Sequence, residues 1–326
     1  MIRLIWSKDF ARLLQKRFGT GKRFTRAYID YFESEHGLSL ESERDWNGLS
    51  ETHRMWFDFA LSTNMRGRDL IRYLERYKRF RQARYLDIGC GYGGFLIAAA
   101  RRGASCVGIE PDSLRAGFSR QNVADSGLPI EVHELDALEP GIEQRLGSFD
   151  VITCNDVAEH VASAPQLLAN IRRLMNPRGL AYFEIPNPQC LEFVAKDGHF
   201  GLFGITLLDR ADAIRYHAEH YQSEYDVGDY WTLEQYRAFF AVAGLKVKLI
   251  EPLHHPVRPI SDLDPLLGEL DRSRVSHPLL DAPFAAYRES LQQDRRDLTE
   301  SDFRNRYLCK FWTFLATPQE TVGNGQ

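Results

Sequence analysis

Two patterns divide the chain. Residues 1–80 read as helical, rich in Arg, Phe and Tyr, with loops marked by Gly19-Thr20-Gly21 and by the stretch from Gly37 to Gly48. From Arg84 short β-rich runs alternate with helical stretches, the signature of βαβ units and a parallel sheet. The pattern predicts strands at Arg84–Ile88, Ser105–Ile109, Ile130–Leu135, Phe149–Cys154 and Gly179–Ile185, with helices at Gly94–Arg102, Asp112–Asp125 and Ala164–Met175 between them. Asn176-Pro177-Arg178-Gly179 stops the last helix. After Ile185 the alternation breaks, and an aromatic, His-containing lid insertion, expected to cover the acceptor pocket, spans 187–230. A helix at Thr232–Ala243 and a strand at Leu245–Ile250 resume it. A second insertion, 252–302, opens with Pro252, His254, His255 and Pro256, and a final strand is expected at Tyr307–Ala316. The expected organisation is a helical segment over 1–80, an α/β domain over 81–318 carrying both insertions, and a frayed tail at 319–326.

The chemistry concentrates where the first strand ends, in Tyr85-Leu-Asp87-Ile-Gly89-Cys90-Gly91-Tyr-Gly93-Gly94. Glycines after a strand turn the backbone sharply and let a ligand approach where a Cβ would clash. Gly89, Gly91 and Gly94 also satisfy the dinucleotide pattern G-x-G-x-x-G, and Glu110 lies where the ribose acid of a nicotinamide enzyme would. Asp87 argues against that reading. A carboxylate two residues before the first glycine repels a pyrophosphate but attracts a cationic ligand, such as a sulfonium with a free α-amino group. Acids end the next two strands as well, in Gly-Ile-Glu110-Pro111-Asp and Glu-Leu-Asp136-Ala137. Read structurally, Glu110 would cap the following helix and Asp136 would be an ordinary loop acid.

With these residues, Asn155-Asp-Val-Ala-Glu-His-Val161, Arg-Leu-Met-Asn-Pro-Arg-Gly-Leu and Phe-Glu-Ile-Pro-Asn, the chain resembles the class I S-adenosylmethionine-dependent methyltransferases, most closely the ubiquinone-pathway O-methyltransferases. The likeness covers residues 84–187 well and 232–250 loosely. It implies a doubly wound, Rossmann-like α/β sheet of order 3-2-1-4-5-7-6 with an antiparallel last strand. It implies S-adenosylmethionine as cofactor, with Asp87, Gly89, Cys90 and Gly91 at the methionine portion. Glu110 and Pro111 would then lie at the ribose, Asp136 and the Ala137 amide at the adenine, and Asn155 at the sulfonium. Arg66 is a further candidate, for the cofactor carboxylate.

Composition leaves this picture standing and narrows the partners. Hydrophobic residues make up 44% and charged residues 26%, an ordinary globular balance. The apolar run Phe95–Ala100 is far too short to cross a bilayer, and the N-terminus lacks the features of a signal peptide. Five cysteines without a Cys-x-x-Cys pair fit a reduced, cytoplasmic setting. Residues 1–102 hold 20 basic against 12 acidic side chains, and Arg68, Arg72 and Arg76 recur every four residues. This reads as a solvated helix face, and nucleic acid is not an expected partner.

A hydroxyl acceptor must lose a proton, for which histidine is the usual base, so His160 and His199 are the candidate catalytic residues. No residue spacing defines a metal cage, and no metal is expected, although Asp156, Glu159 and His160 offer ligands side by side. The expected activity is methylation of a small-molecule hydroxyl. A nucleic-acid or protein methyltransferase docking through the basic helices is the alternative, and a non-catalytic cofactor-binding regulator a third.

Overall fold

The computed structural model describes residues 3–319 and divides the chain into two compact units, each taken here by itself. Seven strands form one sheet in the order β3-β2-β1-β4-β5-β7-β6, as the resemblance implies. They are β1 Arg84–Ile88, β2 Ser105–Ile109, β3 Ile130–His133, β4 Phe149–Asn155, β5 Met175–Pro186, β6 Leu245–Ile250 and β7 Phe311–Pro318. The pairs β1–β2 and β2–β3 are parallel, and β7 runs antiparallel to both β5 and β6. Most of β5 is buried residue by residue, which explains its continuous apolar run.

The first unit extends to Thr153 and includes Leu174–Gly179. Its amino-terminal part holds the helices α1 Arg3–Phe18, α2 Lys22–His36, α3 Glu43–Asn47, α4 Glu51–Leu61 and α5 Thr63–Leu74. The predicted glycine punctuation is real: Gly19 and Gly37 adopt positive φ, of 69° and 61°, directly after α1 and α2. Then come α6 Gly94–Ala100, α7 Ser113–Ser126 and a short α8 Ile142–Leu146. An aromatic core of Phe18, Phe24, Tyr28, Phe32, Trp46 and Phe57 unites α1–α4 and takes in Phe118 of α7. Asp125 of α7 accepts the Phe24 N–H at 3.0 Å, so the start of α2 is satisfied by a side chain 101 residues away. Helix α5 ends at Leu74, so Arg76 lies in the turn beyond it rather than on one helical face with Arg68 and Arg72.

Two glycines let α5 and α6 meet backbone to backbone. A Cβ on Gly67 would fall 2.3 Å from the Gly94 carbonyl oxygen, and one on Gly94 would fall 2.2 Å from that of Thr63. Gly94 therefore serves helix-on-helix packing rather than a ligand.

The second unit holds Cys154–Arg173 and the described chain from Leu180 on. Its helices are α9 Ala164–Leu174, α10 Leu191–Ala195, α11 Arg210–Ala218, α12 Leu233–Val242, α13 Leu263–Ser273, α14 Asp281–Asp297 and α15 Glu300–Tyr307. The stretch 187–230, which reads as irregular in sequence, thus contains α10 and α11. The stretch 252–302 is largely helical. The two share one core, in which Leu191, Val194 and Tyr216 pack with Leu263, Leu270, Phe284, Tyr287 and Phe303. The last strand starts at Phe311, not Tyr307, because Thr299 caps α15 by accepting the Asp302 N–H and the helix claims Tyr307. Beyond Gln319, whose N–H donates to the Gly244 carbonyl, the expected frayed tail lies outside the described residues. None of the five cysteines is in a disulfide, and all are buried. Among the described residues no helix is long and apolar enough to cross a membrane.

Candidate functional site

In the first unit the turn from β1 to α6 runs through three left-handed glycines, Gly89, Gly91 and Gly93, with φ of 66°, 48° and 76°. Gly93 has a packing reason, since a Cβ there would meet Ser119 Oγ at 2.6 Å. Gly91 differs. A Cβ built on it would find only the Gly89 carbonyl oxygen, at 3.9 Å, so the space above this backbone is open to a ligand. Cys90 is buried with its sulfur 3.6 Å from Ser119 Oγ. It can meet a ligand only through its backbone.

Asp87 lies at the end of β1 and is almost fully buried. Thr153 Oγ1 donates to Asp87 Oδ1 at 2.6 Å, and the Tyr85 hydroxyl lies within hydrogen-bond distance of the same threonine oxygen. Burial pushes the Asp87 carboxyl up to about 7, against the pull of the Thr153 hydrogen bond, with the nearby Glu110 adding to the rise. Among the described residues no Lys or Arg pairs with Asp87. A buried acid in this state favours a cationic partner.

Glu110, at the end of β2, accepts the Gly91 N–H at 3.0 Å and the Asp112 N–H at 3.2 Å. One carboxylate thus fixes both the glycine turn and the start of α7, where Asp112 is the cap. Burial raises its pKa. Pro111 beside it is exposed. After β3, Asp136 is exposed and its Oδ1 accepts the Leu138 N–H at 2.8 Å, while Ala137 is buried. Gly89, Cys90, Gly91, Glu110, Pro111, Asp136 and Ala137 all follow the carboxyl ends of β1–β3, where open α/β sheets bind ligands. Arg66 is turned to other work, its guanidinium lying 3.7 Å from the Phe59 ring centre and donating to the Phe59 carbonyl.

The second unit gathers the other candidates around the turn after β4. Asn155 Nδ2 donates to Asp156 Oδ2 at 2.9 Å, and Asp156 adopts a left-handed φ of 52°. Glu159 is buried, and burial with the neighbouring Asp156 raises its pKa well above the usual carboxylate range. His160 and His199, 39 positions apart in sequence, pack edge to face with ring centres 5.0 Å apart. Burial and the adjacent His160 push His199 down to about 4, so its ring is neutral at physiological pH. His217, also of the first insertion, is buried against Phe200 and Tyr221, and His220 contacts the Tyr216 carbonyl.

Sequence reasoning missed Thr153 and Tyr230. Thr153 carried a usable signal: it stands two before Asn155 in β4, and that alternation puts both on one face. Tyr230, whose hydroxyl lies 3.4 Å from His199 Nδ1, stands out in sequence only as one of the aromatics of the first insertion, with nothing that ties it to His199.

Residues 62–249 match the family model described as a methyltransferase domain. Over 140 residues the chain is 29% identical to a ubiquinone biosynthesis O-methyltransferase of Methylococcus capsulatus, covering 42% of this chain and 59% of that protein. Over 102 residues it is 34% identical to the Pseudomonas aeruginosa protein of the same name, covering 31% of this chain and 44% of the relative. The matched stretch is thus about half the length of these relatives. A solved structure of a putative S-adenosylmethionine-dependent methyltransferase from Listeria monocytogenes aligns at 17% identity with a TM-score of 0.48, covering 78% of this chain and 99% of that one.

Proposed function

Because the chain belongs to the methyltransferase-domain family of class I S-adenosylmethionine-dependent enzymes, we propose that it methylates a hydroxyl of a small-molecule acceptor. The observation that carries the cofactor half is Asp87, a buried acid without a basic partner among the described residues, beside the open backbone of Gly91. Asp87 attracts the cationic methionine end, and the Gly89–Gly91 turn gives it room. Glu110 offers its remaining lone pairs to the ribose hydroxyls, with Pro111 beside it. Asp136 and Ala137 are assigned to the adenine. When bound, S-adenosylmethionine supplies an electrophilic methyl group.

The hydroxyl acceptor is supported by the two relatives above, which are named as O-methyltransferases. Methyl transfer to oxygen requires the hydroxyl to ionise, and we assign that task to His160 and His199, which offer ring nitrogens at one place in the second unit.

Two measurements test the reading. Calorimetry with S-adenosylmethionine, its demethylated product and NAD should show micromolar binding of the first two, and preference for NAD would overturn it. Transfer of a labelled methyl group into a pool of cell metabolites should give a product whose label sits on oxygen. Tight cofactor binding with no transfer to any metabolite would point to a regulator instead.

A further inference from the structure

We propose that the groove between α5 and α6 is a binding site for a soluble phosphate monoester with a short apolar skeleton. Both helices belong to the first unit. The groove encloses a cavity of about 270 Å³, near the lower end of the range for small-molecule sites. Arg68, Arg101 and Arg102 line it, and among the described residues no acid does.

Arginine stays protonated at any physiological pH, and its planar fork of N–H donors matches phosphate oxygens in pairs. Three such groups around one small space repel one another until an anion enters. Arg101 has no acidic partner among the described residues. Arg68 pairs with its neighbour Asp69 at 3.4 Å and Arg102 with Glu75 at 3.5 Å, but neither acid lines the cavity. Both pairs are open to solvent and therefore weak, so a phosphate can recruit the same guanidiniums at small cost. A monoester carries nearly two negative charges at neutral pH, and a diester only one, so the monoester is the better match for three cations.

The floor is apolar. It is built from Ile71 of α5 and from Ile97 and Ala98 of α6, all buried. Inorganic phosphate has nothing to place on that floor, whereas an organic phosphate covers it with carbon. Asn64 completes the lining with its amide already engaged, since Nδ2 donates to the Gly19 carbonyl at 2.9 Å and Oδ1 accepts from Asn122 at 3.0 Å. It therefore shapes the cavity and leaves recognition to the arginines.

The frame is stiff. Gly67 and Gly94 let the two helices touch through their backbones, and Thr63 Oγ1 accepts the Gly94 N–H at 3.2 Å. Arg68 directly follows Gly67, and Arg101 and Arg102 directly follow the last residue of α6. Backbone contact thus sets the distance between the charged walls before any ligand arrives, which lowers the ordering cost of binding.

Helix α6 begins just after the glycine turn at the carboxyl end of β1 and finishes at Ala100, close to the amino end of β2 at Ser105. Arg101 and Arg102 thus stand about 10 Å along the helix from that turn, towards the opposite edge of the sheet from Glu110. The ligand of this groove is neither the cofactor nor the acceptor, so binding there is independent of the reaction proposed above.

Calorimetry on the full chain in a phosphate-free buffer, with butyl phosphate, inorganic phosphate and butyl sulfate as probes, tests the site. One equivalent of butyl phosphate should bind. Inorganic phosphate should bind more weakly for want of carbon on the floor, and butyl sulfate more weakly for want of the second charge. Affinity for butyl phosphate should rise between about pH 5 and 7.5, as the second proton leaves a phosphate whose pKa is about 6. Arg101→Ala, Arg68→Ala and Arg102→Ala, all at exposed positions, should each weaken it by about tenfold or more, while Arg145→Ala, in α8, should change nothing. Saturating S-adenosylmethionine should not displace it, so a failure of the cofactor reading shows separately. The proposal is overturned by the absence of saturable butyl phosphate binding, by equal binding to Arg101→Ala, or by displacement with S-adenosylmethionine. Binding of phosphatidate vesicles or of an RNA oligonucleotide that butyl phosphate fails to compete overturns it as well.

Discussion

Thr153 donates its hydroxyl proton to Asp87 across 2.6 Å, and with that proton spent it can only accept from Tyr85. Three buried polar groups are thus satisfied in a line that ends at the acid assigned to the cofactor. Burial raises the folded pKa of Asp87 from 3.8 to about 7, so the folded chain keeps a proton that the unfolded chain releases. The resulting stabilisation is fully present below about pH 4 and is lost as pH rises through about 7. A cationic ligand acts the other way, because it binds the ionised form. Affinity for S-adenosylmethionine should therefore rise between about pH 5.5 and 7.5, with proton release on binding below about pH 7. Asp87→Asn should flatten that profile and weaken binding by about tenfold or more, roughly 1.4 kcal/mol, while leaving the ligand-free protein more stable at alkaline pH. Calorimetry in buffers of different ionisation enthalpy reads both effects.

Glu110→Ala should weaken cofactor binding by about 1.5–3 kcal/mol, the range for hydrogen bonds to a charged group. Part of that loss is indirect, since Glu110 also holds the Gly91 N–H. A 2′-deoxy analogue separates the parts: the native chain should discriminate against it and the variant should not.

Gly67 and Gly91 should respond to alanine in different properties. At Gly67 the new methyl group meets the Gly94 backbone, and overpacking of this kind costs about 1–3 kcal/mol, readable as a lower melting temperature. At Gly91 it meets open space, so the stability loss is limited to the about 1–2 kcal/mol of left-handed strain. Cofactor affinity should suffer more there than at Gly67.

Leu270→Ala removes a fully buried side chain from α13 and should cost about 2–5 kcal/mol. Since α10 and α11 pack into the same core, hydrogen exchange should accelerate there as well as in α13–α15. Acceleration confined to 263–307 would show that the two insertions open independently.

What the sequence made legible follows the range of the interactions. A strand followed by an acid recurs at each of the first three βα junctions, with a glycine turn at the first, so β1–β4, the Asp87–Gly94 turn and Glu110 stand out unaided. The insertions do not, because their order is long-range. Phe284, Tyr287 and Leu291 keep helical spacing, but they are the only buried residues among the 17 of α14, and their partners lie as far off as Leu191. The pairing of His160 with His199 escapes for the same reason: nothing local brings them together. The start of β7 is ambiguous in sequence because Tyr307 looks the same to a strand pattern whether it opens a strand or closes a capped helix.

The five buried thiols give the folded chain a built-in chemical clock. Each thiol is shielded, and burial holds Cys106 and Cys190 up at about 12, so alkylation near neutral pH must wait for the chain to open. Cys90 and Cys106 would time the opening of the first unit, and Cys154, Cys190 and Cys309 that of the second. Mass spectrometry of the alkylated peptides would then date each opening without any engineered probe.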